Sequence, residues 1–405
     1  MKNIILFDSE TLRGNLLPLT FTRPIAELRI GILTIKEKWE RWFDGKVSYM
    51  TEEYLSEKYP IHITTSNYII NASLLPNPSL ILRINRLAEG EAILYKNELL
   101  AARLSQRQLF DLIEGNETET IEGTEIENIE FRMLENLWDI YQLNDAELRH
   151  DFDAITKGRT SEPISQTNQI LGDASQIFLE KGAKVECCVL NATSGPIYLG
   201  KNSEMMEGSV VRGALALCEG AVVKLASKIY GATTIGPHCR AGGEINNSVM
   251  LANSNKGHDG FLGNSVLGEW CNIGADSNNS NLKNNYDEVK LWHYPSARFA
   301  KTGLQFCGLV MGDHSKCGIN TMFNTGTVVG VSANVFGGGY PRNFIPSFAW
   351  GGSAGFETYL TAKAFDTAAR VVQRRGQELT EIDKNILQNV FEQEAKFRTW
   401  EKTKV

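Results

Sequence analysis

LGKNSEMMEGSVVRGALALCEGAVVKLASKIYGATTIGPHCRA, residues 199 to 241, repeats every six residues. Its apolar positions Leu199, Met205, Val211, Leu217, Val223, Ile229, Ile235 and Ala241 keep that period without a slip. Four residues after most of them stands a small or modest side chain, including Ser203, Ser209, Ala221, Ser227, Thr233 and Cys239. A six-residue period fits neither the 3.6-residue helix nor the two-residue strand, and it is the signature of a parallel β-helix. Each hexad is one short face of a coil, with the apolar residue inward and the small residue near the corner. Stacked coils then bury one continuous core.

Outward from this stretch, the register shifts and is expected to resume through Phe261, Leu267 and Ile273. After an insertion it returns as Met311, Cys317, Phe323, Val329 and Val335. The coils are expected over 169–352. Upstream, "NIILFD" reads as a strand, "IGILTIKEKWERWF" as a helix and "LENLWDIYQLNDAELRHDF" as an amphipathic linker helix, which makes 1–155 an α/β domain. The polar "TKGRTSEPISQTN", 156–168, reads as the linker. The tail, 353–405, is expected to be helical, with Thr380 and Asp383 at capping-box spacing.

A formal net charge of −7 argues against nucleic acid or an anionic membrane as the main partner, since both select basic surfaces. No apolar run approaches the roughly 18 residues of a membrane span, and the apolar core of "MKNIILFDSE" is short for a signal peptide, so a cytoplasmic protein is expected. The seven cysteines show no C-x-x-C spacing, which argues against a zinc site or disulfide framework, and several fall at small-residue positions of the repeat, where they read as buried reduced thiols. Three widely spaced histidines, His238, His258 and His314, would have to converge for a zinc lyase of the kind that shares this coil, and no two are close in sequence. His238 and His314 fall within hexads and read as corner or surface residues.

The two interruptions of the repeat carry the polar residues that a packed coil does not need: "SNKGHDGFLGN", 254–264, and the insertion at 277–303. "KGHDGFLGN" resembles the K-x-G-H-x-x-Y-L-G-D segment of the bacterial bifunctional enzymes that acetylate glucosamine-1-phosphate and then uridylylate the product. "NNYDEVK" is similar to the N-Y-D-G-x-x-K of the same family, and "LLPLTFTRPIAELR", 16–29, to the L-x-P-L-T-x-x-x-P-K of sugar nucleotidyltransferases. The resemblance implies a sugar-nucleotidyltransferase-like α/β domain, a left-handed parallel β-helix and a C-terminal helical tail. It further implies acetyl-CoA and Mg²⁺ as co-substrate and cofactor, an amino-sugar 1-phosphate and a nucleoside triphosphate as substrates, and a homotrimer.

Carried over residue by residue, His258 matches the general base, and Asn285 and Tyr286 match positions that hold the sugar. Ile319 and Asn320, in "GIN", match the acetyl-CoA site, whose backbone donors stabilise the oxyanion. Phe261 stands in place of a tyrosine, and Asn246 and Asn247 in place of lysines, so Lys228, Arg240 or Lys256 is expected to supply the charge for the sugar phosphate, beside Asn246. In the front domain a glycine-rich phosphate loop is replaced by "FDSETLRGNLL", with Gly14 alone, and Asn71 stands where a metal-binding aspartate is expected. Arg13, Gly14, Thr20 and Arg23 are the expected nucleotide contacts, the arginines as bidentate phosphate partners or alternatively as structural residues. Two functions follow from this reading. One is an enzyme of amino-sugar nucleotide synthesis; the other is a regulatory or nucleotide-sugar-binding protein with an inactive front domain.

Overall fold

Parallel pairing without slippage organises the repeat region. Ile197–Leu199 pairs with Leu215–Leu217, which pairs with Thr233–Ile235, each one coil further along. Three such stacks form the faces of a parallel β-helix. The first carries Leu190, Val211, Ile229, Ile245 and Leu262 inward, the second Leu199, Leu217, Ile235, Met250, Leu267, Met311, Val329 and Ile345. The third carries Val185, Met205, Val223, Ala241, Lys256, Ile273, Cys317 and Val335. Coils begin at Gln169–Leu171 and end at Ala349–Gly352, which a hairpin to Gly355–Thr358 closes against further pairing.

The corners explain the small residues. Along the corner between the second and third faces, Gly220, His238, Asn253, Trp270, His314, Ser332 and Phe348 all adopt positive φ, with His238 at 58° and His314 at 59°. Those two histidines are corner residues, stacked away from His258, which lies on the next corner. At the His258 corner Ser209 and Ser227 donate to turn carbonyls, Met206 O at 2.9 Å and Lys224 O at 2.7 Å, so a small hydroxyl satisfies backbone that the tight turn leaves unpaired. One sequence expectation fails here: Leu262, paired with Ile245, faces the core in place of Phe261, which pairs with Glu244 on the outside. The coil from Ala241 to Lys256 is shorter than three hexads, and this deletion moves every later apolar position.

The computed structural model describes residues 2–43, 45–116, 121–126 and 131–401; the last four positions of the 353–405 tail lie outside the described residues. The chain divides into two compact units. Met1–Leu16, Arg23–Leu28 and Leu33–Asn136 make the first, and Leu17–Thr22, Arg29–Ile32 and Leu137–Val405 the second. The first ends well before residue 155 because the helix Asn144–Thr156 packs on the coils. Asn144 donates to Ala232 O at 3.0 Å and accepts from Gly31 N at 2.7 Å, and Asp151 accepts from Ile32 N at 2.8 Å. Gly31, at φ 75°, must be glycine, since a Cβ would lie 2.5 Å from the Asp151 carboxylate.

The first unit is a six-stranded mixed sheet in the order Val47–Met50, Asn3–Phe7, Ser66–Asn71, Glu98–Ser105, Glu91–Tyr95 and Glu122–Glu125. The helix expected over 30–43 begins only at Ile35. Thr34 and Glu37 form a reciprocal cap, Thr34 N to Glu37 Oε2 at 2.7 Å and Glu37 N to Thr34 Oγ1 at 3.2 Å, which fixes the start, and the preceding residues 31–33 bend instead of joining the helix. Among the described residues no helix is long and apolar enough to cross a membrane.

In the second unit the insertion folds as an arm whose hairpin pairs Lys290–His293 with Arg298–Lys301. Trp292 stacks on Phe344 at 4.0 Å, and Phe397 of the tail meets both rings edge-on. The tail itself holds the helices Thr361–Gln373 and Glu381–Gln393, the second opened by the Thr380–Asp383 capping box. Beneath the aromatic cluster Glu394 is 1% exposed, faced by Ser347 N of the coil, the Tyr294 phenol of the arm, and Lys396 and Arg398 of its own segment. Burial pushes its carboxyl up to about 7. The folded state therefore favours the protonated form. That contribution is complete below the unfolded value near 4.5 and is lost as pH rises through about 7. Glu394→Gln should match wild type in stability near pH 4.5 and exceed it at pH 8 by on the order of 3 kcal/mol. Denaturant melts at the two pH values check this, and a pH-independent difference would refute it.

Candidate active site

His258 sits at the corner that joins the third face to the first. Lys256 ends the third-face strand, Gly257–Gly260 turn, and Phe261–Gly263 starts the next face. Two glycines of the preceding coil make room for this turn. A Cβ on Gly242 would lie 2.8 Å from Gly257 O, and one on Gly243 2.8 Å from His258 O. The turn is tied to the next coil by Asp276 N to Asp259 O at 3.0 Å and by Phe261 N to Asn278 Oδ1 at 2.8 Å. The His258 imidazole is exposed, and it makes no hydrogen bond with any described residue.

Register carries the same corner upward. Ile273 pairs with Cys317, so His258, Ala275 and Ile319 occupy equivalent places on successive coils. Ile319 stands two coils from His258, about 10 Å at the usual strand spacing, and is 71% exposed. The structure thus brings His258 and the Ile319–Asn320 pair onto one edge of the prism. Of the three backbone donors expected in "GIN", two are committed: Gly318 N donates to Val335 O at 2.8 Å and Asn320 N to Ala275 O at 2.9 Å. The N–H of Ile319 makes no bond with a described residue. A donor aimed at developing negative charge must be uncommitted in the free protein, so Ile319 is the better candidate.

The cations expected to meet a sugar phosphate differ sharply. Lys256 does not face solvent: it is in register with Ala241, which turns it into the core at 1% exposure, and its Nζ donates to Gly242 O at 2.9 Å and His258 O at 2.5 Å. Burial pushes the ammonium down to about 8. Lys228 is exposed on the first face, beside the corner, in a 3.5 Å ion pair with Glu244. Arg240 lies outward on the third face, directly before the corner, where its Cβ would be 3.9 Å from a Cβ on Gly257. One guanidinium nitrogen donates to Gly220 O at 3.0 Å and to the carbonyls of His238 and Cys239. Arg375, between the tail helices, reaches the same face, donating to Asn255 Oδ1 at 2.9 Å, and burial, helped by the neighbouring Arg240 charge, holds its guanidinium below the usual value. Arg375 was invisible in the sequence because only the folded tail brings it there.

Asn246, Asn285 and Tyr286 are placed elsewhere. Asn246 is at the far end of the Glu244–Asn246 strand, paired with Gly263. Asn285 and Tyr286 lie on the arm, which is rooted at the third corner through Cys307 N to Asn281 O and Gly308 N to Asn264 O. Asn285 makes a local turn, accepting from Asp287 N at 3.2 Å, while Tyr286 is 65% exposed with φ 58°.

In the first unit, Arg13 and Arg23 are both buried. Arg13, 5% exposed, donates to Asp8 Oδ2, to Arg23 O and to the Tyr54 hydroxyl, each at 3.0 Å. Asp8 also accepts from Thr51 Oγ1 at 2.6 Å and from Ile25 N at 2.9 Å; burial pushes its carboxyl up, while Arg13, Thr51 and Ile25 pull against that. Gly14 lies inside the helix Glu10–Asn15, so it forms no phosphate loop. Thr20 is buried and belongs to the other compact unit. Asn71 holds backbone, accepting from Ser73 N at 3.0 Å and donating to Leu99 O at 3.3 Å. Magnesium takes oxygen ligands in near-octahedral geometry, and these committed oxygens do not fit that requirement. Among the described residues no three acidic, histidine or cysteine side chains form a metal-sized group.

Comparison with known proteins agrees with the two-part architecture. A sequence model of the sugar nucleotidyl transferase family matches residues 4–160. The bifunctional protein GlmU of Synechococcus elongatus is 27% identical over 167 residues, covering 39% of this chain and 32% of that protein. GlmU of Methanocaldococcus jannaschii is 32% identical over 87 residues, 22% of this chain and 21% of that one. The matched stretches thus span a third or less of these relatives. An Arabidopsis UDP-N-acetylglucosamine acyltransferase structure covers 53% of this chain and 80% of its own at 15% identity, and its TM-score of 0.22 is too low to carry an argument. A sugar nucleotidyl transferase match thus lies in front of a parallel β-helix, and over part of its length the chain is similar to GlmU proteins.

Proposed function

We propose that the β-helix transfers an acetyl group from acetyl-CoA to the amine of an amino-sugar 1-phosphate, as a transferase of sugar-nucleotide synthesis. The observation that carries this reading is the single corner edge that holds an exposed imidazole with no hydrogen bond to a described residue and, two coils on, an exposed Ile319 whose N–H bonds to no described residue. The amine nitrogen bonds to the thioester carbonyl carbon, His258 takes the amine proton, and the negative charge gathers on the carbonyl oxygen near the Ile319 N–H. The C–S bond then breaks as the protonated His258 returns its proton to the leaving sulfur, which releases the thiol of CoA and leaves the amide. Arg240 supplies the charge for the sugar phosphate, with Arg375 beside it, since guanidinium groups match phosphate oxygens bidentately.

Asn285 and Tyr286 enter this site from a neighbouring copy. The arm that bears them leaves the coil at a different corner from His258, so a homotrimer about the prism axis supplies what a single chain separates. The front domain favours a second reading for its own part, binding of a nucleotide sugar without nucleotidyl transfer. The observation behind it is that Asp8 and Arg13 neutralise each other in the interior, leaving neither for triphosphate or magnesium.

His258→Ala should fold normally and lose roughly 10²-fold or more in thiol release with glucosamine-1-phosphate, while Arg240→Ala should chiefly raise the KM for the sugar phosphate. Near-wild-type thiol release from the histidine variant would remove His258 from the mechanism. For the front domain, Arg13→Ala should cost about 3–5 kcal/mol in stability, because it strands Asp8 in the interior. A variant that melts normally but loses nucleotide binding would restore Arg13 as a ligand contact. Light scattering should give three times the chain mass at micromolar concentration; an active monomer would exclude the shared site.

A further inference from the structure

The inner column of the third face is aliphatic or small except at one rung. Lys256 stands between Ala241 and Ile273, and an ammonium there has lost nearly all its hydration. Such a charge is costly unless hydrogen bonds replace the water. Its replacements are two carbonyls, Gly242 O at 2.9 Å and His258 O at 2.5 Å, with Asp259 and Asp276 raising its proton affinity from the corner above. The second contact is the informative one. It shows that the His258 carbonyl is turned toward the core, where a peptide oxygen needs a donor. The coil supplies that donor from a side chain two residues back.

We propose that Lys256 is a positioning residue for His258: its buried ammonium fixes the His258 carbonyl and thereby the rotation of the Gly257–Gly260 turn that presents the imidazole. The imidazole makes no hydrogen bond with a described residue, so the turn's backbone alone aims it. Glycines at both ends, Gly257 and Gly260, with the latter at φ 114°, give that backbone freedom which something must remove. A general base displaced by about 1 Å can lose on the order of 10²-fold, so a peptide-plane rotation here reaches the chemistry.

The catalytic consequence rests on the acetyl-transfer reading; the structural one does not, and two measurements separate them. Lys256→Met suits an aliphatic column and should fold with stability equal to or above wild type. In that variant the amides that tie the turn to its neighbours, Glu244, Phe261 and Asp276, should exchange with solvent at least tenfold faster, while amides of distant coils hold their rates. The kcat for acetyl transfer should fall ten- to a hundredfold with the KM for acetyl-CoA unmoved, and Lys256→Gln, which keeps a donor, should recover part of both effects and stands in if the Met variant fails to fold. Unchanged exchange at those three amides would overturn the proposal whatever the activity. Faster exchange with undiminished kcat would overturn its catalytic part. If wild type itself transfers no acetyl group while exchange quickens as described, the acetyl-transfer reading fails and the anchoring of the turn stands.

Discussion

Strand N–H groups on the prism faces donate mainly to backbone carbonyls one coil away, as Glu204 N does to Ala221 O and Val222 N to Cys239 O, and this in-register pairing is the constraint on which the rest depends. It forces inward residues of successive coils into columns, so a column tolerates a wrong residue only if that residue is satisfied from within. It also makes the corners repeat: seven successive corner residues share a left-handed backbone, from Gly220 to Phe348. A residue's function then follows from which column or corner the register gives it. Lys256 and Asn255 are neighbours in sequence, yet one is sealed in the core and the other faces the tail arginine Arg375.

His238 is an exposed corner residue of a regular coil, whereas His258 and the arm lie where the hexads break. The shortened coil from Ala241 to Lys256 changes which residues point inward, and the longer break after Asn279 releases the arm. Both breaks are accommodated because backbone pairing resumes immediately: Ile273 meets Cys317 across the whole insertion. The scaffold's rigidity is thus retained on either side of the site. A side chain at such a corner gains from this, since its position is inherited from strands that cannot move independently.

The sequence made the β-helix legible because six-residue spacing over so many positions has few alternatives. The tail capping box and the corner positions of His238 and His314 were legible for the same reason, each resting on spacing alone. Register across a deletion was not legible. Moving the inward position from Phe261 to Leu262 requires knowing which strand pairs with which, and periodicity resets at each break. The start of the helix at Ile35 was hidden too, because the apolar run before it continues without a visible stop and only the Thr34–Glu37 cap marks the boundary. Arg375 shows the deepest limit, a contact between segments more than a hundred residues apart that no local pattern encodes.

Charged residues near a phosphate motif invite assignment to the phosphate, and the two units show why that inference fails at particular positions. A cation that the fold has already neutralised gains little from a ligand, because binding must first break what holds it. Arg13 is held by Asp8 and two further acceptors, and Lys256 by two carbonyls, so both are parts of the framework. Lys228 is held only by an exposed pair with Glu244, which is worth little and can be exchanged. Arg240 gives one nitrogen to carbonyls and lies next to a second arginine. Like charges left side by side on a chain of net negative charge are a standing cost that an anion relieves. Of the cations legible in the sequence, Arg240 is therefore the one whose surroundings improve when a phosphate arrives, and it stands one residue pair away from the turn that carries His258.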